Sequence, residues 1–82
     1  GMPKYPQTMV NVRTEQRMDP GKSREIQDAV AVAEGELADT GRVVLRASGT
    51  EPVIRVMVEG QDEEQVDSLA NRLASVVEQS AS

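Results

Sequence analysis

The sequence predicts an α+β domain, a two-layer sandwich with elements in the order strand, helix, strand, strand, helix, in which two helices cover one face of a small, mostly antiparallel sheet. Three observations lead there. Apolar and polar residues alternate over residues 8–13 and along both arms flanking the loop at residues 48–52, the period of half-buried strands. The period lengthens to that of a helix over residues 23–37 and 62–77, and each of these segments has a single apolar face. Elements with one apolar face must bury it against one another, and two such helices with one such sheet give two layers.

The first strand, Thr8 to Arg13, sets Val10 and Val12 against Asn11 and Arg13. A polar connection over residues 15–22 contains the turn signal Asp19-Pro20-Gly21. From about Ser23, the residues Ile26, Ala29, Val30, Ala33 and Leu37 share one helical face, with Ser23 as N-cap and Gly41 as the stop beyond the last turn. In the hairpin that follows, Leu45 opposite Ile54 and Val43 opposite Val56 give one continuous apolar face for the helices to cover. Arg46 and Arg55 then share the other face, with Val44, Val53 and Met57, open to water or leaning on another body. A slip of one residue would put Arg46 among the core residues. Pro52 ends the loop and limits its entropy. After Gly60, Asp62 and Gln65 have the spacing of a capping box, and Val66, Leu69, Ala70, Leu73, Val76 and Val77 form the stripe of the last helix. Asp62, Glu63 and Glu64 suit the positive end of that helix, which explains them without a metal.

Composition narrows the function. The 82 residues make one domain, which buries roughly 60 to 65% of the surface of its unfolded chain. The chain has no Cys and no His, so disulfides, thiolate metal sites and the commonest neutral-pH base are excluded. The absence of thiols is compatible with a reducing cytoplasm. A net charge of -5 and a single aromatic, Tyr5, provide neither the basic face nor the stacking platforms of a nucleic-acid binder. No apolar run approaches a membrane span, and the N-terminus lacks the pattern of a signal peptide.

The chemistry concentrates in the hairpin. A phosphoryl dianion is held by planar Arg donors, by hydroxyls that each give one hydrogen bond, and by backbone N–H groups reachable where no Cβ intervenes. Arg46, Ser48, Gly49, Thr50 and Arg55 supply all three. The plain alternative is a Ser-Gly-Thr-Glu-Pro turn flanked by solvated arginines. Ser48 and Thr50 lack the adjacent base that a hydroxyl nucleophile needs, since there is no His and the Lys residues, Lys4 and Lys22, lie in remote polar segments. Nothing around Glu51 marks it as a general base, and a surface role orienting Arg46 or Arg55 suits it better. A reading from another class is a small non-catalytic module that binds a protein through its open sheet face, in which Val44 and Met57 matter more than Arg46.

Arg46-Ala47-Ser48-Gly49-Thr50-Glu51-Pro52, followed by Val-Ile-Arg-Val-Met-Val-Glu-Gly, resembles the C-terminal phosphate-binding loop of the α-D-phosphohexomutase superfamily, whose members move a phosphoryl group between the 1- and 6-positions of a sugar. The opening Tyr5 to Arg13 and the helix after Gly60 are similar to the first strand and final helix of the family's last domain. The Pro-Gln-x-x-Val-Asn-Val and Ile-Arg-Val-Met-Val-Glu-Gly segments narrow the likeness to the bacterial glucosamine-phosphate branch, which serves UDP-N-acetylglucosamine and cell-wall precursor synthesis. The family's Ser-His-Asn-Pro phosphoserine loop, its Asp-Gly-Asp-Gly-Asp magnesium site and its Gly-Glu-x-Ser-Gly sugar loop have no counterpart in these residues. The resemblance therefore implies the fourth, C-terminal domain of a four-domain cytoplasmic enzyme, with a TBP-like fold. It also implies magnesium and the phosphoserine in the other domains, and no catalytic or metal-binding residue in this one. Its partners are expected to be those domains and the phosphosugars glucosamine 6-phosphate, glucosamine 1-phosphate and the bisphosphate intermediate. Residues 1–6 are expected to be a cloning scar (Gly1-Met2) and a hinged linker, residues 7–80 the domain, and 81–82 a tail, with the isolated stretch inactive.

Overall fold

The computed structural model describes residues 5–15 and 19–81. The Gly1-Met2 leader, the start of the linker, the centre of the 15–22 connection and Ser82 lie outside them. The chain runs β1 (Gln7–Arg13), a 3-10 turn (Pro20–Lys22), α1 (Arg24–Leu37), a second 3-10 turn (Ala38–Thr40), β2 (Arg42–Ala47), β3 (Val53–Glu59) and α2 (Glu63–Ala81). This is the expected order, and α2 continues through Ala81. The three strands form one sheet in the order β1-β3-β2, antiparallel throughout, with β3 in the centre.

Both helices lie on one face. Val12, Ile54, Val56 and Val58 from the sheet meet Ile26, Ala33 and Leu37 of α1 and Val66, Leu69, Leu73 and Val77 of α2, and all of these are buried. The helices run antiparallel, tied by Arg72 to Glu36 at 2.8 Å near one end and by Ser80 to Glu25 at 3.2 Å near the other. No helix among the described residues is long and apolar enough to cross a membrane.

The caps depart in part from expectation. Ser23 does cap α1, its Oγ accepting from the Ile26 N–H at 3.4 Å. Gly41 does not stop that helix. The stop falls at Ala38, which takes φ 53° and ψ −129°. Gly41 has an extended backbone, and a Cβ there would lie 2.0 Å from the Glu59 carbonyl oxygen, so its smallness lets two chain segments cross. At α2, Asp62 Oδ1 accepts from the Glu64 and Gln65 N–H groups, but the Gln65 side chain donates to the Glu36 carbonyl oxygen instead of reaching back. The capping box is half built, and its other half links α2 to α1.

The hairpin register also differs from the expected one. Leu45 faces Val56, not Ile54, and Val43 faces Val58, not Val56. The loop explains the shift of two residues. The expected register pairs Ala47 with Pro52, which has no N–H to give a ladder. Closure falls instead on Ser48, whose N–H donates to the Val53 carbonyl at 2.9 Å. Because side chains alternate with period two, every residue keeps its face. What changes is who sits opposite whom, and this decides the site.

Candidate phosphate-binding site

With the shifted register, Arg46 is the direct cross-strand partner of Arg55. The expected register would have set Arg46 against Val53 and Arg55 against Val44. Both arginines stand on the open face, away from the helices, and both are exposed. Like charges placed directly opposite each other destabilise a sheet. The ion pairs formed by arginines of the described residues are Arg42 with Glu59 and Arg72 with Glu36, so neither Arg46 nor Arg55 has a carboxylate partner there. Glu51 does not orient them by ion pairing, contrary to one expectation.

The loop is organised from within. Ser48 Oγ accepts from the N–H groups of Thr50, at 3.4 Å, and Glu51, at 3.3 Å. The Val53 N–H donates to the Glu51 carbonyl at 2.8 Å. The Pro52 carbonyl accepts from both the N–H of Thr14, at 2.7 Å, and its Oγ1, at 3.0 Å, which pins the loop's second limb to the end of β1. Among the described residues, Thr14 is the one buried polar side chain, and nothing in its sequence context marks it. Gly49 has no positive φ, and a Cβ there would meet nothing within 4 Å. Among the described residues, neither backbone conformation nor packing calls for glycine at this position.

Two recesses flank the loop. One, of about 210 Å³, is lined by Arg46, Ala47, Ser48, Val53 and Arg55. The other, of about 490 Å³, contains Thr14, Asp19, Ser48, Gly49 and Glu51 among its lining residues. Among the described residues, the larger one is lined by Asp19 and Glu51 and by no cation. The smaller one has two guanidinium groups and a hydroxyl. A groove of about 320 Å³ continues from the arginines along Met9, Met57 and Val44. Of the five residues expected at the site, Arg46, Ser48 and Arg55 share the small recess, and Gly49 and Thr50 form the adjoining loop tip.

Asn11 joins this group without having been expected there. It lies opposite Arg55 on β1, and Arg55 Nε donates to its Oδ1 at 3.4 Å. Its alternation with Val10 and Val12 assigns it to the open face, but which residue it meets there depends on the β1–β3 register, for which the sequence has no turn to count from.

Comparison with known proteins matches residues 9–76 to the model of the phosphoglucomutase/phosphomannomutase C-terminal domain. A phosphoglucosamine mutase of Methylobacillus flagellatus is 56% identical over 80 residues, 98% of this chain and 18% of its own length. One of Cellvibrio japonicus is 56% identical over 78 residues, 95% of this chain and again 18% of its own. The chain thus spans about a fifth of the length of these curated relatives. Among solved structures, N-acetylphosphoglucosamine mutase of Aspergillus fumigatus superposes with a TM-score of 0.78 at 26% identity, over 94% of this chain and 16% of that one. A structure of the same enzyme in complex with GlcNAc-6P and magnesium superposes with a TM-score of 0.75 at 25% identity, over 95% and 16%.

Proposed function

This chain belongs to the phosphoglucomutase/phosphomannomutase C-terminal domain family, and from that premise we propose that it is the substrate-phosphate clamp of a phosphoglucosamine mutase. The observation that carries the reading is the Arg46–Arg55 pair, two unneutralised cations held side by side on neighbouring strands at the mouth of a hydroxyl-lined recess. A phosphate between them relieves their repulsion and accepts from both guanidinium groups. Ser48 keeps its O–H to donate while its oxygen organises the loop.

In the whole enzyme the clamp holds the phosphate that is not being transferred, so that the hydroxyl at the other end of the sugar faces the reactive group of another domain. Glucosamine 6-phosphate, glucosamine 1-phosphate and the bisphosphate between them all present such a group. A clamp that reads only phosphate tolerates the reversal of the sugar that the reaction needs, and remote binding energy positions the reacting centre. The phosphoserine and magnesium belong to the other domains. The described residues bring no three His, Cys, Asp or Glu side chains together, and no metal chemistry is assigned to them. Residues 7–80 form the domain. Its compartment is the cytoplasm, where charged sugar phosphates are retained.

Amide NMR titration of the 82-residue chain tests this reading. Glucosamine 6-phosphate and inorganic phosphate are expected to shift the resonances of residues 46–55 with a Kd on the order of 1 mM, about -4 kcal/mol, while glucosamine does not. Arg46→Ala should abolish the response. An Arg46→Ala chain that binds phosphate as well as the parent sinks the assignment.

A further inference from the structure

Arg55 stands in the centre of a row. Across the open face, Asn11 of β1, Arg55 of β3 and Arg46 of β2 are successive cross-strand partners. We infer that Asn11 is a positioning residue, which fixes the Arg55 guanidinium for the anion that Arg46 and Arg55 share. The inference rests on the phosphate-clamp reading and deepens it.

Chemistry singles out the contact. The hydrogen bond from Arg55 Nε to Asn11 Oδ1 uses the one guanidinium nitrogen nearest the main chain. Both Nη groups remain, and these form the fork that engages two oxygens of a phosphate. An exposed arginine otherwise samples many rotamers, and a ligand must freeze them on binding. Asn11 removes part of that cost in advance. Its neutrality matters as much as its reach. An aspartate at the same place would hold Arg55 more tightly, but it would neutralise the guanidinium and repel the incoming dianion. The row therefore reads as one neutral acceptor followed by two unneutralised cations.

Three chains of 82 residues test it: the parent, Asn11→Ala and Asn11→Asp, each checked by its amide spectrum for an intact fold. The probe is inorganic phosphate at low ionic strength, and the second readout is the Arg55 Nε–H resonance before phosphate is added. In Asn11→Ala that resonance should move and exchange faster with water while that of Arg46 stays, and phosphate affinity should fall about three- to tenfold. In Asn11→Asp the resonance should move the opposite way, towards a stronger bond, yet affinity should fall by about tenfold or more. That split between a tighter Arg55 and a weaker ligand is not what a merely structural side chain produces. If the parent binds phosphate and both variants bind it equally well, Asn11 does not position Arg55 and this inference alone fails. If the parent does not bind phosphate at all, the clamp reading fails and carries this inference with it.

Discussion

Ala38 holds a backbone conformation, φ 53° and ψ −129°, that crowds the Cβ of any L residue. It is needed there because α1 must end within one residue and turn back towards β2. The Ala38 N–H still donates to the Glu34 carbonyl, and Thr40 Oγ1 donates to the Leu37 carbonyl, so the helix end is satisfied although the backbone is strained. Glycine relieves the strain and loses some of the gain to its freer unfolded chain. Ala38→Gly should therefore raise the unfolding free energy by about 1 kcal/mol, read as a higher urea midpoint at unchanged slope. An equal or lower midpoint would show that residue 38 is not held in this region. Gly41, which the sequence suggests as the helix stop, does a different job three residues on, where only the absent Cβ lets the chain pass Glu59.

At the scale of elements, the parts legible in the sequence are those that depend on side-chain period. Val10 and Val12, the Ile26 to Leu37 face and the Val66 to Val77 stripe are all found against the core, because periods of 2 and 3.6 translate directly into faces. The convergence of Arg46 and Arg55 on one side was legible for the same reason. Their direct opposition was not, since alternation is blind to a shift of two residues and only the missing N–H of Pro52 decides between the two registers. Asn11 escaped because β1 and β3 are separated by about forty residues of chain, with no tight turn to set the count. The stripe of α2 also has a gradient that period alone does not reveal: Leu73 is fully buried, and Val76 only partly. Leu73→Ala should cost about 3 kcal/mol, since it empties space between the helices and the sheet. Val76→Ala should cost about 1 kcal/mol. Chemical denaturation of the two variants checks the ranking, and equal losses would contradict the graded burial. A domain of this size has roughly 4 to 12 kcal/mol in total, so the first variant gives up about a quarter to three quarters of it.

For the molecule as a whole, the distribution of charge opposes its sum. The net charge is -5, yet the open face sets Arg42, Arg46 and Arg55 along the sheet, with Arg42 partnered by Glu59 and the other two unpartnered by carboxylates among the described residues. A negative molecule repels phosphate at long range, and the row attracts it within about a Debye length. Binding to this face should therefore stabilise the fold, and salt should weaken the effect more than it would for a buried site. With a Kd of about 1 mM, 10 mM glucosamine 6-phosphate adds about 1.4 kcal/mol, which for a domain of this length raises the Tm by roughly 6 to 10 °C. In about 0.5 M sodium chloride the rise should shrink to a small fraction of that, because both guanidinium groups are exposed. Anions such as phosphate also stabilise proteins generally by exclusion from their surface, so the Arg46→Ala chain is the control. Thermal melts of parent and variant, with and without ligand at matched ionic strength, separate the two effects. A rise confined to the parent and removed by salt is the signature of the paired arginines, whereas equal rises in both chains would mean that the molecule responds to phosphate as a solute and has no clamp.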